Sequence, residues 1–121
     1  MKKIIWAAVL YSCVVFAQNK ESLVSFRKDV MPTFTKKCIG CHAAEDEGLG
    51  NLFLTGYSEL MKGDSDHGPV VVKGKSDKSV LIMKLRGTAG FGKRMPRGMK
   101  PLDEKTIGII SRWIDQGAPN N

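Results

Sequence analysis

The chain has 121 residues and a formal net charge of +7, enough for one small domain and too few for two comfortable hydrophobic cores. It carries 13 glycines, and neither an internal repeat nor a low-complexity tract is visible. The positive charge comes without a nucleic-acid-binding motif, so nucleic acid is set aside as a partner.

Lys2 and Lys3 precede an apolar run from Ile4 to Phe16. Val15-Phe16-Ala17 then places small residues at its first and last positions, ahead of the polar Gln18-Asn19-Lys20. This is the layout of a secretory signal peptide cleaved after Ala17. It leaves residues 18–121 as the domain and directs it to the periplasm or otherwise out of the cytoplasm. The run is short of the ~20 residues of a membrane span, so no stable span is expected after cleavage. An uncleaved anchor, or a lipid on Cys13 following Leu10-Tyr11-Ser12, is the alternative. Cleavage removes Cys13 and leaves Cys38 and Cys41 as the only thiols. In an oxidising compartment, neighbouring thiols stay reduced only when something claims them.

The first predicted helix covers Ser22 to Lys37, with Leu23, Phe26, Val30 and Phe34 on one face and Pro32 either kinking it or opening a second helix. Cys38 to His42 closes the segment. Ala43 to Leu54 reads as loop. Ser58 is a candidate N-cap for a short helix ending at Gly63. Val70 to Val72 reads as a brief extended run. Ser76 or Asp77 is expected to cap a helix carrying Val80, Leu81, Met83 and Leu85 and stopped by Gly87. Between Gly87 and Pro101, glycines and prolines forbid regular structure. Asp103 should cap a last helix through Gln116, with Ile107, Ile110, Trp113 and Ile114 on one face and Gly117 ending it. The expected fold is all-α, with four or five helices.

The chemistry concentrates in Cys38-Ile39-Gly40-Cys41-His42. Two thiols two residues apart can each add to a vinyl group of one porphyrin, and the histidine that follows then lies under the iron. A zinc site would need a second clustered pair of ligands, and only His67 is left elsewhere. A redox dithiol usually comes with a βαβ pattern, which is missing. One covalent haem c is therefore the expected cofactor, held by Cys38, Cys41 and His42. For the other axial position, Met61 and Met83 fall at core spacing on helices, and Met31 sits too near His42 in sequence. Met95 and Met99, in the irregular loop, and His67 stay open.

CIGCH followed by RMPRGMKPLDEKTIGIISRWIDQGA resembles the monohaem class I c-type cytochromes. It resembles more closely the variant cytochrome c domain of planctomycete and Bacteroidetes-type proteins, over roughly Ser22 to Pro119. The resemblance implies a small helical bundle wrapped around the haem, with the Met95-Pro96 pair marking Met95 as the sixth ligand. Thioether ligation raises the reduction potential, and a haem filled on both sides carries electrons rather than binding substrate. The resemblance also implies a backbone carbonyl from the loop after CIGCH on the second nitrogen of His42, with Gly50 or Asn51 in the similar position. The proline usual in that loop is absent.

Lys93, Arg94, Arg97 and Lys100 crowd around Met95. They are a solvated loop, a source of a haem propionate partner (Arg94 first), or a patch that steers docking onto an acidic redox partner. Tyr57 and Phe91 are candidates for the haem edge, and Phe26 and Trp113 for the contact between first and last helices. The leading function is an exported electron carrier. Its rivals are a haem sensor or weak peroxidase with a displaceable sixth ligand, and an electron-transfer subunit of a larger oxidoreductase.

Overall fold

The computed structural model describes residues 21–43 and 51–121. The expected signal peptide, Cys13 and Gly50 lie outside them. Among the described residues there is no strand, and no helix is long and apolar enough to cross a membrane. The fold is all-α. A π-helical turn at Phe26–Val30 runs into α1 (Met31–Lys37), followed by α2 (Tyr57–Lys62), a 3-10 turn at Ser76–Lys78, α3 (Val80–Arg86) and α4 (Glu104–Asp115).

The first helical segment begins later than its apolar spacing predicts. Residues 21–25 are not helical, so Leu23 points outward at 63% exposure while its neighbour Val24 is buried. Pro32 stands in the first turn of α1, just after the π-helical turn. Phe26, Val30 and Phe34 all face inward.

Their partner is α4, whose Ile107, Ile110, Trp113 and Ile114 are fully buried. The Phe26 ring lies 5.2 Å from Trp113 and 5.3 Å from Tyr57, so the first and last helical segments meet through aromatic faces. The polar ends of these rings are paired. Tyr57 Oη donates to the Ala118 carbonyl at 2.8 Å and Trp113 Nε1 to the Pro119 carbonyl at 2.9 Å.

The segment after α4 also completes the start of the fold. The first N–H groups of a helix lack intrahelical acceptors. Here Phe26 N donates to Asn121 Oδ1 at 2.7 Å, Arg27 N to the Asn121 carbonyl at 2.9 Å, and Val24 N to Gln116 Oε1 at 2.8 Å. Gly117, at φ 99°, lets the chain turn back toward the N-terminal segment.

Two helix starts differ from expectation. α2 begins at Tyr57 with Gly56 as its N-cap, not Ser58. α3 begins only at Val80, because Ser76 and Asp77 sit in the separate 3-10 turn. There, Ser76 N and Oγ donate to the Asp115 carboxylate at 2.9 and 3.0 Å. The N–H groups of Val80 and Leu81 donate to the carbonyls of Pro69 and Val70, so a neighbouring segment caps α3 in place of a side chain. Fully buried Ser79 holds that segment, accepting from Val72 N at 2.9 Å.

Asp103 caps α4 as its sequence context predicts, accepting from Thr106 N at 2.7 Å. That bond holds its carboxyl below the usual carboxylate range. A group depressed in the folded state stabilises it above its unfolded pKa of about 3.9 and stops doing so as pH falls through its folded value. Asp103→Ala is therefore expected to lower the melting temperature at pH 7, and the difference from the parent should close under strong acid. Asp103→Asn, which still caps, should melt with much less dependence on pH over that range. Thermal melts of the three proteins from pH 7 to 2 check this.

Candidate haem site

α1 delivers the cysteines. The N–H groups of Cys38 and Ile39 both donate to the Phe34 carbonyl at 2.9 and 3.0 Å, which ends the helix. Cys41 N and His42 N then donate to the Cys38 carbonyl at 3.1 and 3.0 Å, winding the pentad into one tight turn. Cys38 is half-buried, Cys41 is exposed, and both thiols are free, as thioether formation requires. Burial, with a smaller contribution from neighbouring Cys41, pushes the Cys38 thiol up to about 11. A redox dithiol needs the opposite, a depressed pKa that exposes a thiolate at neutral pH. Among the described residues, no three His, Cys, Asp or Glu side chains come together to hold a metal ion.

His42 is oriented by residues 52–54. Leu54 N donates to the His42 carbonyl at 2.8 Å, and His42 Nδ1 lies 3.1 Å from the Leu52 carbonyl. A carbonyl only accepts, so Nδ1 carries a proton, and in the neutral ring Nε2 then has the lone pair that could ligate a metal. The acceptor is thus Leu52, not Gly50 or Asn51. The Leu54 bond aligns residues 52–54 beside His42, and this register brings the carbonyl of Leu52 opposite Nδ1.

Cys38, Cys41 and His42 open onto a cavity of about 800 Å³. Cofactor and ligand pockets run from about 300 to 1,000 Å³, so the space suits a large, flat prosthetic group. Its aliphatic lining comes from Leu54 and Val70 and from Val80, Leu81 and Leu85 of α3. Met95, Pro96, Arg97 and Met99 of the glycine- and proline-rich loop line it as well. Met95 is half-buried and packs against the core, whereas Met99 is 48% exposed. Exposed His67 lies flat on Phe91, with ring centroids 3.7 Å apart, and both line the cavity.

The structure therefore brings together Cys38, Cys41, His42 and Met95, residues separated by more than half the domain in sequence. Arg94 does not line the cavity. Its Nε donates to the Leu85 carbonyl at 2.9 Å, and the cations on the lining are Lys37, Lys84 and Arg97. Of the two aromatic candidates for the haem edge, Phe91 is on the lining and Tyr57 is in the Phe26–Trp113 cluster instead. Lys84 escaped the sequence reading altogether: on a short helix whose apolar residues carried the pattern, a lysine reads as a solvated position.

A helical domain with two free thiols, a histidine whose Nδ1 faces a backbone carbonyl and a methionine around one apolar cavity is the architecture of a covalent haem protein. Residues 38–97 match the family described as planctomycete cytochrome C, and the chain carries a cytochrome c domain with haem c as its cofactor. No curated protein matches the sequence. Among solved structures, the fold is similar to Kuenenia stuttgartiensis hydrazine synthase at 22% identity and a TM-score of 0.59. The match covers 84% of this chain but only 17% of that one, so the chain corresponds to about one sixth of its length.

Proposed function

We propose that the protein is an exported monohaem cytochrome c that carries single electrons between redox partners, its iron held by His42 and Met95. The observation that carries this reading is the convergence of Cys38, Cys41, His42 and Met95 on one apolar cavity, with His42 Nδ1 committed to Leu52. Bound there, haem would supply a one-electron ferric–ferrous couple.

Each side chain has its own part. Cys38 and Cys41 fix the group covalently, so it is not lost outside the cell. Leu52 holds the His42 ring at one orientation and raises its basicity as a ligand. Met95 supplies a soft thioether that favours the reduced state. The aliphatic part of the lining would lower the polarity around a bound haem. Arg94 remains a candidate for a propionate through its terminal nitrogens, since only Nε is committed to Leu85. Arg97, on the lining, is a second candidate. Lys37, Lys84 and Arg97 on the lining, with exposed Lys93 and Lys100 on the loop that carries Met95, suit an acidic surface on the partner. The signal peptide at residues 1–17 would place the protein in the periplasm or beyond.

The likeness to a segment of hydrazine synthase supports a second reading, in which the domain serves as an electron-transfer subunit of a larger oxidoreductase. Three measurements on the native protein separate the possibilities. A pyridine haemochrome assay should give one haem per chain, resistant to acid-acetone extraction. The reduced protein should bind carbon monoxide weakly and slowly at neutral pH; rapid, tight binding would favour a sensor or weak peroxidase. The native mass in solution distinguishes a free carrier from a subunit.

A further inference from the structure

α3 is short, and the last carbonyls of any helix have no intrahelical donors. Here they are met by the loop that carries Met95. Gly87 N and Thr88 N donate to the Met83 carbonyl, Met95 N to the Lys84 carbonyl at 2.9 Å, and Arg94 Nε to the Leu85 carbonyl at 2.9 Å. The Arg94 stem lies against Gly87, where a Cβ would stand 3.0 Å from Arg94 Cδ. Gly87 has φ 75° and no side chain, so the helix can end and the arginine can pass over it. On the other side of the loop, Lys84 Nζ donates to the Phe91 carbonyl at 3.0 Å and sits 5.1 Å from the centre of the Phe91 ring. Both cations stand at a helix C-terminus, where the partial charge of the exposed carbonyls favours them.

We propose that Arg94 and Lys84 are positioning residues that latch the Met95 loop onto the end of α3 and so keep the thioether at the iron. The inference rests on Met95 being the sixth ligand. A thioether is a weak ligand on a loop without regular structure. Its occupancy of the iron therefore depends on how narrowly the backbone confines it, and the bond from Met95's own N–H to Lys84 is the most direct confinement available. The Arg94 bond one residue earlier prevents the loop from peeling away.

The test uses the ferric holoprotein and imidazole, a small competitor for the sixth position. Arg94→Met keeps an aliphatic stem but removes the donor. It is expected to bind imidazole at least tenfold more tightly than the parent, about 1.4 kcal/mol of lost anchoring, and to speed hydrogen exchange at the Met95 amide. Arg94→Lys should recover part of both effects. Lys84→Met, an independent variant should Arg94→Met fold poorly, is expected to shift both readouts in the same direction. A merely structural role for Arg94 would lower the melting temperature and leave imidazole affinity within twofold of the parent. That outcome, or unchanged exchange at Met95 in both variants, overturns the proposal. Met95→Leu separates the two levels of inference. If its far-red ferric band persists, the ligand assignment has failed; if the band is lost while Arg94→Met and Lys84→Met match the parent, only the latch has.

Discussion

Replacing both Cys38 and Cys41 with Ala is expected to give a chain that carries no covalent haem and is largely unfolded. The described domain is small and is hollowed by a cavity of about 800 Å³. Its aliphatic wall, including Leu54, Val70, Leu81 and Leu85, needs something to pack against, because an unfilled wall forfeits its dispersion contacts or admits water. Net stabilities of only about 5–15 kcal/mol leave little margin for such a hollow. When an obligatory group is bound only by the folded chain, its binding free energy is also folding free energy. The haem-bearing parent should therefore melt cooperatively, and the double variant should lose most of its helical circular dichroism and show no cooperative transition. Retention of parent-like helicity with a sharp melt would show that the bundle stands without its cofactor.

Met95→Leu should have the largest effect on the redox chemistry while sparing the fold. Leucine and methionine have similar volumes, and such exchanges usually cost less than about 1.5 kcal/mol, so packing against the core survives. What disappears is the thioether. The weak far-red ferric band of methionine-ligated haem should vanish. The reduction potential should fall by on the order of 0.1 V or more, within the ~0.8 V over which axial ligands tune haem. Carbon monoxide should then bind the reduced protein readily. Met99→Leu and His67→Ala should leave band and potential close to the parent. A band that survives Met95→Leu but is lost in Met99→Leu would transfer the ligand role to the exposed methionine. Loss in His67→Ala would implicate the imidazole stacked on Phe91.

Both predictions rest on residues that can be picked out without coordinates. CIGCH identifies its chemistry by local spacing alone: two thiols and an imidazole within five residues are close in any fold. The helix punctuation is equally local. Asp103 caps through a bond to an N–H three residues away, and Gly87 and Gly117 turn the chain out of their helices at positive φ, a conformation glycine adopts without strain. The apolar face of α4 also follows from spacing, because the hydrophobic effect sorts residues by side of the helix before any partner is chosen.

The tertiary structure decided everything that depends on which distant segments meet. The sequence allowed Ser76 to cap a helix, but the Asp115 carboxylate engages it, and Pro69 and Val70 cap α3 instead. Leu23 fits the first helix's apolar pattern, yet Gln116 and Asn121 bind the backbone of residues 22–27 outside or at the very start of the helix and leave Leu23 in solvent. The acceptor for His42 moved to Leu52 through the register of one backbone bond, and Tyr57 turned to the Phe26–Trp113 cluster, away from the cavity. Side-chain pattern records preferences between neighbours a few residues apart. A hydrogen bond spanning more than ninety residues leaves no period in the sequence, so its partners emerge only when the chain has closed on itself.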